Sequence, residues 1–495
     1  MGKPRQPRIA IIGAGFAGIA TAVYLSRAGL DDFVVLERSA GPGGVWWDSR
    51  YPGAAVDTPT HMYSFSFRRN DWTKSHADQN ELQKYIADTI EAFDLGEHFR
   101  FNTMVKSVTW LDERQRWMVA TDSESSEYDY VISAVGLLNV PKFPDWPGLD
   151  EFEGVSFHTA EWPENLDLAG KTVSVVGTGS TSAQIVPAIA GTAAKVVVYQ
   201  REPGWINPKP VHQYSDQERA EFRAPWRYKW MRLRGYIAAA QTREGGDVHK
   251  EGSAGNLAAM AKCEAYIQEV FKDRPDLVEA VTPKYPYFGK RPIKDSNFYP
   301  ALLRDDVELV PHGVDRVTRT GIVDAEGVER PTDVMVMATG FQANIYLSQL
   351  EVRGRGQREL HDYWNGEPAA FLGMMVDEYP NFFILYGPNT NGPVTLFMLE
   401  TQAKLTVKTI RRYWRKQRPV EVRRTAFAKY DAWMQRQMEG SVWSTSNNYF
   451  KTPSGRVVTQ WPVNPIVYWV MSRALSHVAL RALPARASGT RRRSQ

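Results

Sequence analysis

The chain has 495 residues, 43% of them hydrophobic and 12% aromatic, which is enough for a large core and too long for one compact domain. Its single cysteine, Cys263, excludes an internal disulfide framework and the paired redox cysteines of a flavin disulfide reductase, so we expect a reducing, cytoplasmic setting. Six arginines from position 473 onward account for the net charge of +4; without them 54 basic residues face 56 acidic ones, which excludes a broad nucleic-acid surface.

A first dinucleotide-binding unit is predicted near the N-terminus, where no cationic apolar leader precedes the first strand and secretion is not expected. An apolar run from Arg8 to Ile12 is followed, after a glycine-rich turn, by helical spacing from Ile19 to Ala28. In that turn Gly13 allows the tight bend, Gly15 lets the backbone approach a pyrophosphate, and Gly18 allows close helix packing. The N-terminus of the helix would present free N–H groups to the anion.

The next segment indicates which dinucleotide this first unit binds. A strand from Phe33 to Leu36 ends in Glu37, a carboxylate 24 residues after Gly13 that is suited to ribose hydroxyls. Together with the loop Gly43-Gly44-Val45-Trp46-Trp47, this part resembles the FAD half of flavoprotein monooxygenases, in which such a loop wraps the flavin. The resemblance implies FAD contacts from Phe16, Gly44, Val45, Trp46, Asp57, Tyr63 and Val105.

The segment from position 152 to 163 has the pattern Phe-x-Gly-x-x-x-His-x-x-x-Trp-Pro. Its fixed positions are Phe152, Gly154, His158, Trp162 and Pro163. This pattern is similar to the fingerprint of the flavin-dependent Baeyer–Villiger monooxygenases. We assign His158 no proton transfer, because no Ser or Cys at motif spacing requires a base. It either couples domain movement to cofactor position or is a structural histidine with satisfied nitrogens.

A second unit of the same kind follows this fingerprint. A strand-like run from Lys171 to Val176 leads into helical spacing from Ala183 to Ala190. The turn between them reads Gly177-Thr178-Gly179-Ser180-Thr181-Ser182. Ser182 takes the place of the third glycine, where a small side chain still lets the helix pack on the strand.

The residues after this second unit predict its dinucleotide. A strand from Lys195 to Gln200 ends at Arg201, and a guanidinium there, in place of the carboxylate of the first unit, suits the 2′-phosphate of NADPH. The alternative for Arg201 is a surface ion pair at a strand end. Glu202 stands where the family usually has a small or hydroxylic residue, and its carboxylate would repel the phosphate, so the strength of the NADPH preference stays open.

Two further segments carry the candidate catalytic residues, Arg291 and Asp57. The loop from Arg50 ends at Asp57, and Gly289-Lys290-Arg291-Pro292 matches the Gly-Lys-Arg-Pro segment of the family. The resemblance implies that Asp57 orients Arg291 near the flavin, that the guanidinium stabilises an anionic flavin peroxide, and that Lys290 contacts the NADPH 2′-phosphate. Without the resemblance, a Lys-Arg pair beside prolines is more typical of a solvated turn.

The remaining segments complete the predicted domains. Apolar strands at Val131 to Gly136 and Val334 to Phe341 suit crossings between two domains. Helical spacing over about 208–283 predicts an inserted helical subdomain, with a mobile loop at the glycines between 245 and 255. A strand and loop over 379–391 resemble the end of the FAD domain.

A cluster rich in aromatic residues follows later in the chain. It either lines the substrate pocket or belongs to the core, and it comprises Trp443, Asn447, Asn448, Tyr449 and Phe450.

The C-terminal segment differs in kind from the rest. Ile466 to Leu483 places Arg473, His477 and Arg481 at four-residue spacing among apolar residues, which predicts an amphipathic helix too interrupted to span a bilayer. It either packs on the protein body or, with Arg491 to Arg493, contacts an anionic membrane peripherally.

We therefore predict an α/β protein with two Rossmann-like dinucleotide-binding domains, for FAD and NADP, and a helical insertion. The FAD domain is expected at 1–140 and 341–462, the NADP domain at 141–340 and a basic segment at 463–495, in a monomer or homodimer without metal. The resemblance implies an enzyme that uses FAD, NADPH and O₂ to insert oxygen beside a ketone carbonyl through a C4a-peroxyflavin, giving an ester or lactone. The alternatives are a flavin monooxygenase that oxidises nitrogen or sulfur, and a flavin-binding sensor without turnover.

Overall fold

The computed structural model describes residues 5–244, 247–392 and 394–484. The first part of the chain forms, in order, β1 (Ile9–Ile12), α1 (Phe16–Arg27), β2 (Phe33–Leu36), α2 (Val45–Asp48), α3 (Gln79–Ala92), β3 (Phe99–Arg100), β4 (Val105–Leu111), β5 (Arg116–Thr121), β6 (Ser125–Tyr128) and β7 (Tyr130–Ser133). The middle part forms β8 (Val155–His158), β9 (Thr172–Val176), α4 (Ser180–Ile189), β10 (Lys195–Tyr199), β11 (Ile206–Asn207), α5 (Asp216–Phe222), α6 (Pro225–Glu244), α7 (Ala254–Val270), α8 (Pro275–Val281), β12 (Ile293–Lys294), α9 (Phe298–Ala301), β13 (Val307–Val310), β14 (Val314–Val317), β15 (Gly321–Asp324), β16 (Glu329–Pro331) and β17 (Val334–Met337).

The last part forms β18 (Glu351–Arg353), α10 (Leu360–Trp364), β19 (Phe382–Ile384), α11 (Thr395–Trp414), β20 (Val420–Val422), α12 (Arg424–Met438), α13 (Val442–Thr445), α14 (Pro465–Ala474), α15 (Ser476–Ala479) and β21 (Leu480–Ala482). Short 3-10 helices occupy Gly96–His98, Leu149–Glu151, Thr159–Glu161 and Arg355–Gln357.

The first glycine turn belongs to a five-stranded sheet with the order β19, β7, β1, β2, β3, whose pairings are all parallel. Its central strand, β1, has every residue buried, which explains the unbroken apolar run in the sequence. Strand β19 comes from late in the chain, so the segment after position 341 returns to the sheet that the N-terminal residues began. Helix α1 packs against α11, and both contribute to the same buried core.

The second glycine turn belongs to a second five-stranded parallel sheet with the order β13, β10, β9, β17, β8. Strand β9 takes the place of β1, β10 that of β2, and β17 that of β7. Each sheet thus presents one glycine-rich turn at the carboxyl end of its central strand, where doubly wound sheets bind nucleotides. Two Rossmann-like sheets confirm the predicted fold class.

Both nucleotide helices begin earlier than the periodicity predicted. Helix α1 starts at Phe16 rather than Ile19, and α4 starts at Ser180 rather than Ala183. In each case a glycine, Gly15 or Gly179, is the N-cap, so the last residues of the glycine turn already form the first helical turn. The predicted loop at Gly43 to Trp47 also contains the start of a short helix, α2.

The inserted segment is helical where the structure describes it. Helices α5, α6, α7 and α8 lie between positions 216 and 281. Helix α5 begins with a capping box, in which the Ser215 side chain accepts from the Glu218 N–H and Glu218 caps Ser215 in return. Of the glycines predicted to form a mobile loop, Gly245 and Gly246 lie outside the described residues.

The prediction of one amphipathic helix from Ile466 to Leu483 is wrong. Helix α14 ends at Ala474, α15 follows, and the next residues form β21, which pairs antiparallel with β20. The edge of β20 offers backbone hydrogen-bond partners, which a continued helix would leave unpaired. This explains why the helix gives way to strand β21. Arg481 therefore lies on a strand, away from the helical turns that carry Arg473 and His477. Each of the three has its own contact: Arg473 with the Trp469 ring, His477 with Arg412, and Arg481 with Glu421.

The predicted terminal arginines, Arg486 and Arg491 to Arg493, lie outside the described residues. Within the described ranges, every helix is too short or too polar to cross a lipid bilayer.

Candidate active site

A cavity of about 2180 Å³ is lined by both glycine turns and by segments from all three parts of the chain. Pockets for single small ligands are about 300–1,000 Å³, so this one is large enough for two dinucleotides and a substrate. The predicted site residues that line it are Gly13, Gly15, Phe16, Glu37, Gly44, Val45, Trp46, Asp57, Tyr63, Val105, Gly177, Thr178, Gly179, Ser180, Arg201, Lys290 and Arg291. The predicted residues outside its lining are Gly18, Ser182, Phe152, Gly154, His158 and Trp162.

The first glycine turn has the geometry of a pyrophosphate cradle. Gly13 has φ +104°, and a Cβ there would lie 2.7 Å from the carbonyl oxygen of Ala134. A Cβ on Gly18 would overlap the carbonyl oxygen of Gly13, so this glycine serves packing rather than direct contact. No side chain caps α1 at Gly15, which leaves the first N–H groups of the helix for an anion. The turn therefore fits the pyrophosphate of FAD.

Glu37 is held in place at the end of β2. Its Oε2 accepts from the Ala14 N–H at 2.7 Å, and its Oε1 accepts from the Ser39 N–H at 2.9 Å. The residue is buried yet lines the cavity. A carboxylate has about four acceptor positions, so two remain for hydroxyl groups of a ribose.

Aromatic side chains form the wall beyond this turn. The Trp46 Nε1–H donates to the Tyr63 hydroxyl at 3.0 Å, and the Phe16 ring lies 5.3 Å from the Tyr63 ring. Burial raises the pKa of Tyr63 to about 12, so the phenol stays protonated at neutral pH. The rings meet edge to face, and they offer an apolar wall with one hydroxyl, which fits a flavin ring.

The second glycine turn repeats the first in detail. Gly177 has φ +109°, and a Cβ there would lie 2.6 Å from the carbonyl oxygen of Ala338. A Cβ on Gly13 would lie similarly close to the carbonyl oxygen of Ala134. Gly179 is the N-cap of α4 without a side-chain cap, and Ser182 is fully buried behind the turn. This turn fits a second pyrophosphate.

Arg201 and Lys290 line the same end of the cavity, but their surroundings differ. The exposed Arg201 side chain passes over Gly313, where a Cβ would lie 3.4 Å from its Cγ. Lys290 forms an ion pair with Glu202, and its Nζ lies 5.1 Å from the centre of the Tyr285 ring. Lys290, which was predicted to contact the 2′-phosphate, thus already forms an ion pair with a carboxylate of the protein.

The two predicted catalytic residues meet across the cavity. The Arg291 Nη2 donates to the Asp57 Oδ2 at 3.4 Å, a long contact beside the 2.7–2.9 Å of tight charge-assisted hydrogen bonds. The Arg291 side chain is 48% exposed and faces the cavity, whereas Asp57 is 18% exposed. Burial acts to lower the pKa of Arg291, but Asp57 and the nearby Tyr449 outweigh it and raise that pKa. The guanidinium is permanently charged and keeps donors for a reacting oxygen.

Gln184, on α4, positions the loop that carries Asp57, a role that no motif or spacing in the chain predicts. Its Oε1 accepts from the Tyr51 hydroxyl at 3.1 Å, and its Nε2–H donates to the Ala55 carbonyl at 2.9 Å. A Cβ on Gly53 would lie 2.5 Å from the Gln184 carbonyl oxygen, so the loop lies directly on this helix. A helix of the second nucleotide unit therefore fixes the loop that carries Asp57, which follows the first unit.

The fingerprint residues lie behind the cavity rather than in its wall. His158 is fully buried; its Nε2–H donates to the Gly340 carbonyl at 3.0 Å, and its Nδ1 accepts from the Ala160 N–H at 3.1 Å. Burial lowers the pKa of His158, so the ring is neutral at neutral pH. The Trp162 ring packs edge-on against Phe157 at 5.1 Å. Both nitrogens of His158 therefore have hydrogen-bond partners. Because Gly340 lines the cavity, His158 holds in place the segment from Val334 to Phe341, which was predicted to cross between the two domains.

The aromatic cluster near position 447 divides between cavity and core. Four of its members line the cavity, namely Asn447, Asn448, Tyr449 and Phe450. Trp443 is buried and stacks on His249 at 5.3 Å. Both alternatives for this cluster thus apply, to different residues.

Comparison with known proteins agrees with this geometry. A family model described as pyridine nucleotide-disulphide oxidoreductase matches residues 10–224. The chain is 36% identical over 478 residues to a Baeyer-Villiger monooxygenase of Pseudomonas aeruginosa, covering 92% of this chain and 88% of that protein. It is similar to the closed crystal structure of cyclohexanone monooxygenase (TM-score 0.88, 29% identity, 98% and 100% of the two chains) and to an oxidized steroid monooxygenase bound to NADP (TM-score 0.88, 29% identity, 97% and 100%).

The fold and the site define a two-dinucleotide flavoprotein with one FAD site and one NADPH site. The disulfide chemistry in the name of the family model needs paired cysteines, whereas this chain has only Cys263. The chain belongs to the Baeyer–Villiger monooxygenase family, the NADPH-dependent flavoproteins that use O₂ to insert oxygen beside a ketone carbonyl. This confirms the predicted activity and cofactors and favours ketone oxygenation over oxidation of nitrogen or sulfur.

Proposed function

We propose that Arg291 is the catalytic residue of this monooxygenase and that Asp57 positions it. Bound FAD, reduced by NADPH, supplies the activated oxygen. The observation that carries the proposal is the contact between Arg291 and Asp57 on the wall of the shared cavity. The guanidinium stabilises negative charge on the attacking oxygen and then on the ketone oxygen as the carbonyl becomes tetrahedral.

The other site residues are proposed to hold the two cofactors. On the FAD side these are Gly13, Gly15, Phe16, Glu37, Gly44, Val45, Trp46, Tyr63 and Val105, with Gly18 in support. On the NADPH side they are Gly177, Thr178, Gly179, Ser180, Arg201 and Lys290, with Ser182 in support. The domain limits proposed above, 1–140 with 341–462 and 141–340, are supported by the strand membership of the two sheets.

The substrate is proposed to be an apolar ketone with a ring or a long chain. Aliphatic and aromatic side chains contribute much of the lining, among them Met62, Phe288, Leu396, Leu399, Tyr449 and Phe450. Burial of each additional CH₂ group contributes about 0.8 kcal/mol, so a ring of several carbons should bind far better than acetone. Specificity would then rest on shape and apolar area rather than on hydrogen bonds.

The experiment that tests this function supplies the FAD-loaded protein with NADPH, O₂ and one carbonyl or sulfide compound at a time. Suitable compounds are acetone, cyclohexanone, an aryl ketone, a steroid ketone and a thioether. We expect ester or lactone from the larger ketones, with about one product molecule for each NADPH consumed. Sulfoxide as the only product, or hydrogen peroxide from every compound, would overturn the proposal.

The C-terminal segment is proposed to pack on the protein body, with peripheral contact to an anionic membrane as the alternative. Tyr468 is fully buried, and its hydroxyl donates to the Leu372 carbonyl at 2.7 Å, which supports packing. The opposite face of α14 exposes Ile466 and Val470. Cosedimentation with phosphatidylglycerol vesicles, compared between the protein and its Ile466→Ser/Val470→Ser variant, separates the two. A cytoplasmic location and a monomeric or homodimeric state likewise stay proposals.

A further inference from the structure

Glu202 and Lys290 form an ion pair although 88 positions separate them in the chain. Their side chains are 44% and 27% exposed, and both line the cavity beside the second glycine turn. The hydroxyl of Thr178, within that turn, donates to the backbone carbonyl of Glu202 at 3.3 Å. The carboxylate is therefore fixed at the end of the cavity where the adenosine half of NADPH would lie in the function proposed above.

A small cluster of charges surrounds this pair. The Tyr285 ring lies beneath the Lys290 ammonium. The pKa of Tyr285 is raised, first by its burial and then by the negative charge of Glu202. Carboxylate, ammonium and ring thus lie in one cluster, and Lys290 already has an anionic partner before any nucleotide arrives.

Arg201 differs from Lys290 in this respect. Among the side chains that the structure describes, which leave out 239–246, no carboxylate forms an ion pair with Arg201. Of the two cations proposed to recognise a 2′-phosphate, one therefore already has a carboxylate partner within the protein, and the other precedes that same carboxylate in the chain.

A 2′-phosphate and a 2′-hydroxyl meet this arrangement differently. The phosphate carries nearly two negative charges at neutral pH, so it must draw Lys290 away from Glu202 and then lie close to the released carboxylate. A hydroxyl can instead donate a hydrogen bond to that carboxylate, as acidic residues at this place do with the ribose of NAD. The same side chain thus weakens binding of the phosphate and favours the hydroxyl.

We propose that Glu202 sets the nucleotide discrimination of this enzyme, so that it accepts NADH alongside NADPH. Glu202 acts by holding Lys290 and by repelling the 2′-phosphate. The inference rests on the proposed nucleotide role of the second glycine turn.

The test measures binding of adenosine 2′,5′-bisphosphate and of 5′-AMP to the FAD-loaded protein by titration calorimetry. Glu202→Gln keeps the size of the side chain and removes its charge; Glu202→Ser removes both. We expect either variant to bind the 2′,5′-bisphosphate about ten-fold more tightly, equivalent to about 1.4 kcal/mol. Its affinity for 5′-AMP should fall rather than rise, because this ligand has no 2′-phosphate and its 2′-hydroxyl loses the carboxylate acceptor of Glu202.

Two further variants sharpen the result. Glu308→Gln removes the ion pairs of Glu308 with Lys195 at 2.5 Å and with Arg330 at 2.6 Å; the three residues lie outside the cavity lining, so it should change neither affinity. Lys290→Met should weaken binding of the bisphosphate. In the Lys290→Met background, the gain from Glu202→Gln should shrink, because part of that gain comes from releasing the lysine.

The kinetic counterpart is the ratio of kcat/KM for NADPH over NADH, which Glu202→Gln should raise about ten-fold. An unchanged ratio together with unchanged bisphosphate affinity would overturn the inference and leave ester formation untouched. Failure of the unaltered protein to bind either adenosine phosphate would instead overturn the nucleotide role of the second turn itself.

Discussion

The guanidinium of Arg291 contacts the carboxylate of Asp57 at 3.4 Å although 234 positions separate the two residues. Asp57 belongs to a loop that follows the first nucleotide unit, and Arg291 follows the inserted helices. Because Gln184 fixes the Asp57 loop to helix α4, the position of the carboxylate depends on the second nucleotide unit as well. The proposed reacting centre is thus assembled from a loop after the first nucleotide unit and a segment after the inserted helices, and the second unit holds that loop in place.

Replacement of Arg291 should separate cofactor chemistry from oxygen insertion. Arg291→Ala should still oxidise NADPH but lower ester formation at least about 10²-fold, which is the usual cost of removing one donor to a developing oxyanion. Hydrogen peroxide should account for the consumed NADPH. Arg274→Ala is the control, because Arg274 pairs only with Asp276 on the surface among the described residues. Ester formation by Arg291→Ala at the normal rate would remove this residue from the mechanism.

Asp57→Asn should act through Arg291 rather than independently. The amide keeps the size of the side chain but loses the charge that orients the guanidinium, so we expect ester formation to fall roughly 10- to 100-fold. The double variant Asp57→Asn/Arg291→Ala should be no slower than Arg291→Ala alone, because residues that act as a unit give non-additive losses. Additive losses, measured as kcat for ester, would show that Asp57 has a separate task.

Replacement of Gly13 or Gly177 by alanine should weaken the binding of one cofactor in each case. Gly13→Ala places a Cβ against the Ala134 carbonyl at a positive φ and should reduce FAD retention, at a cost of about 1–3 kcal/mol. Gly177→Ala should keep FAD, read by visible absorbance, and lose NADPH binding instead. Gly96 has neither a positive φ nor a neighbour within 4 Å, so Gly96→Ala serves as the control. Equal FAD loss from Gly13→Ala and Gly177→Ala would contradict the assignment of the two turns.

The stability of the protein should fall in acid partly through His61. This residue is 3% exposed, and burial, with the nearby Arg232, lowers its pKa to about 4 from the ordinary 6.5. The unfolded chain therefore takes up a proton that the folded chain excludes. The contribution of His61 is complete above about pH 6.5 and is lost as the pH falls towards 4, by roughly 3 kcal/mol at most.

His61→Phe keeps an aromatic ring among Tyr214, Phe222 and Tyr228 and removes the titrating group. Urea unfolding at pH 7 and pH 4.5 should show a smaller loss of unfolding free energy for His61→Phe than for the unaltered protein. The control is His312→Gln, at a half-buried histidine near the surface, and it should behave like the unaltered protein. An identical pH dependence in all three would show that His61 is not the group responsible.

Local chemistry explains what could be predicted from the sequence. Gly13 and Gly177 must be glycines because of their own backbone angles and one nearby carbonyl, and both requirements appear as a short pattern after an apolar strand. The fold class followed, because two such units imply two parallel sheets.

Contacts between distant segments explain what could not be predicted. Gln184 is an unremarkable polar residue in a helix until the Tyr51 loop lies on it, and Glu202 lies beside Lys290 only in the folded chain. The end of α15 coincides with the pairing of β21 with β20, a partner about 60 positions earlier, while the helical periodicity of the sequence continues through it. Such non-local partners leave no trace in spacing or composition.

The most direct test of the account is the fate of labelled oxygen. The FAD-loaded protein would be supplied with NADPH, ¹⁸O₂ and the best ketone of the panel, and the ester analysed by mass spectrometry, with Arg291→Ala in parallel. We expect one ¹⁸O atom in the ring or chain position of the ester, and almost no labelled ester from the variant. Unlabelled product, or label that appears only in hydrogen peroxide with the unaltered protein, would contradict oxygen insertion at this site.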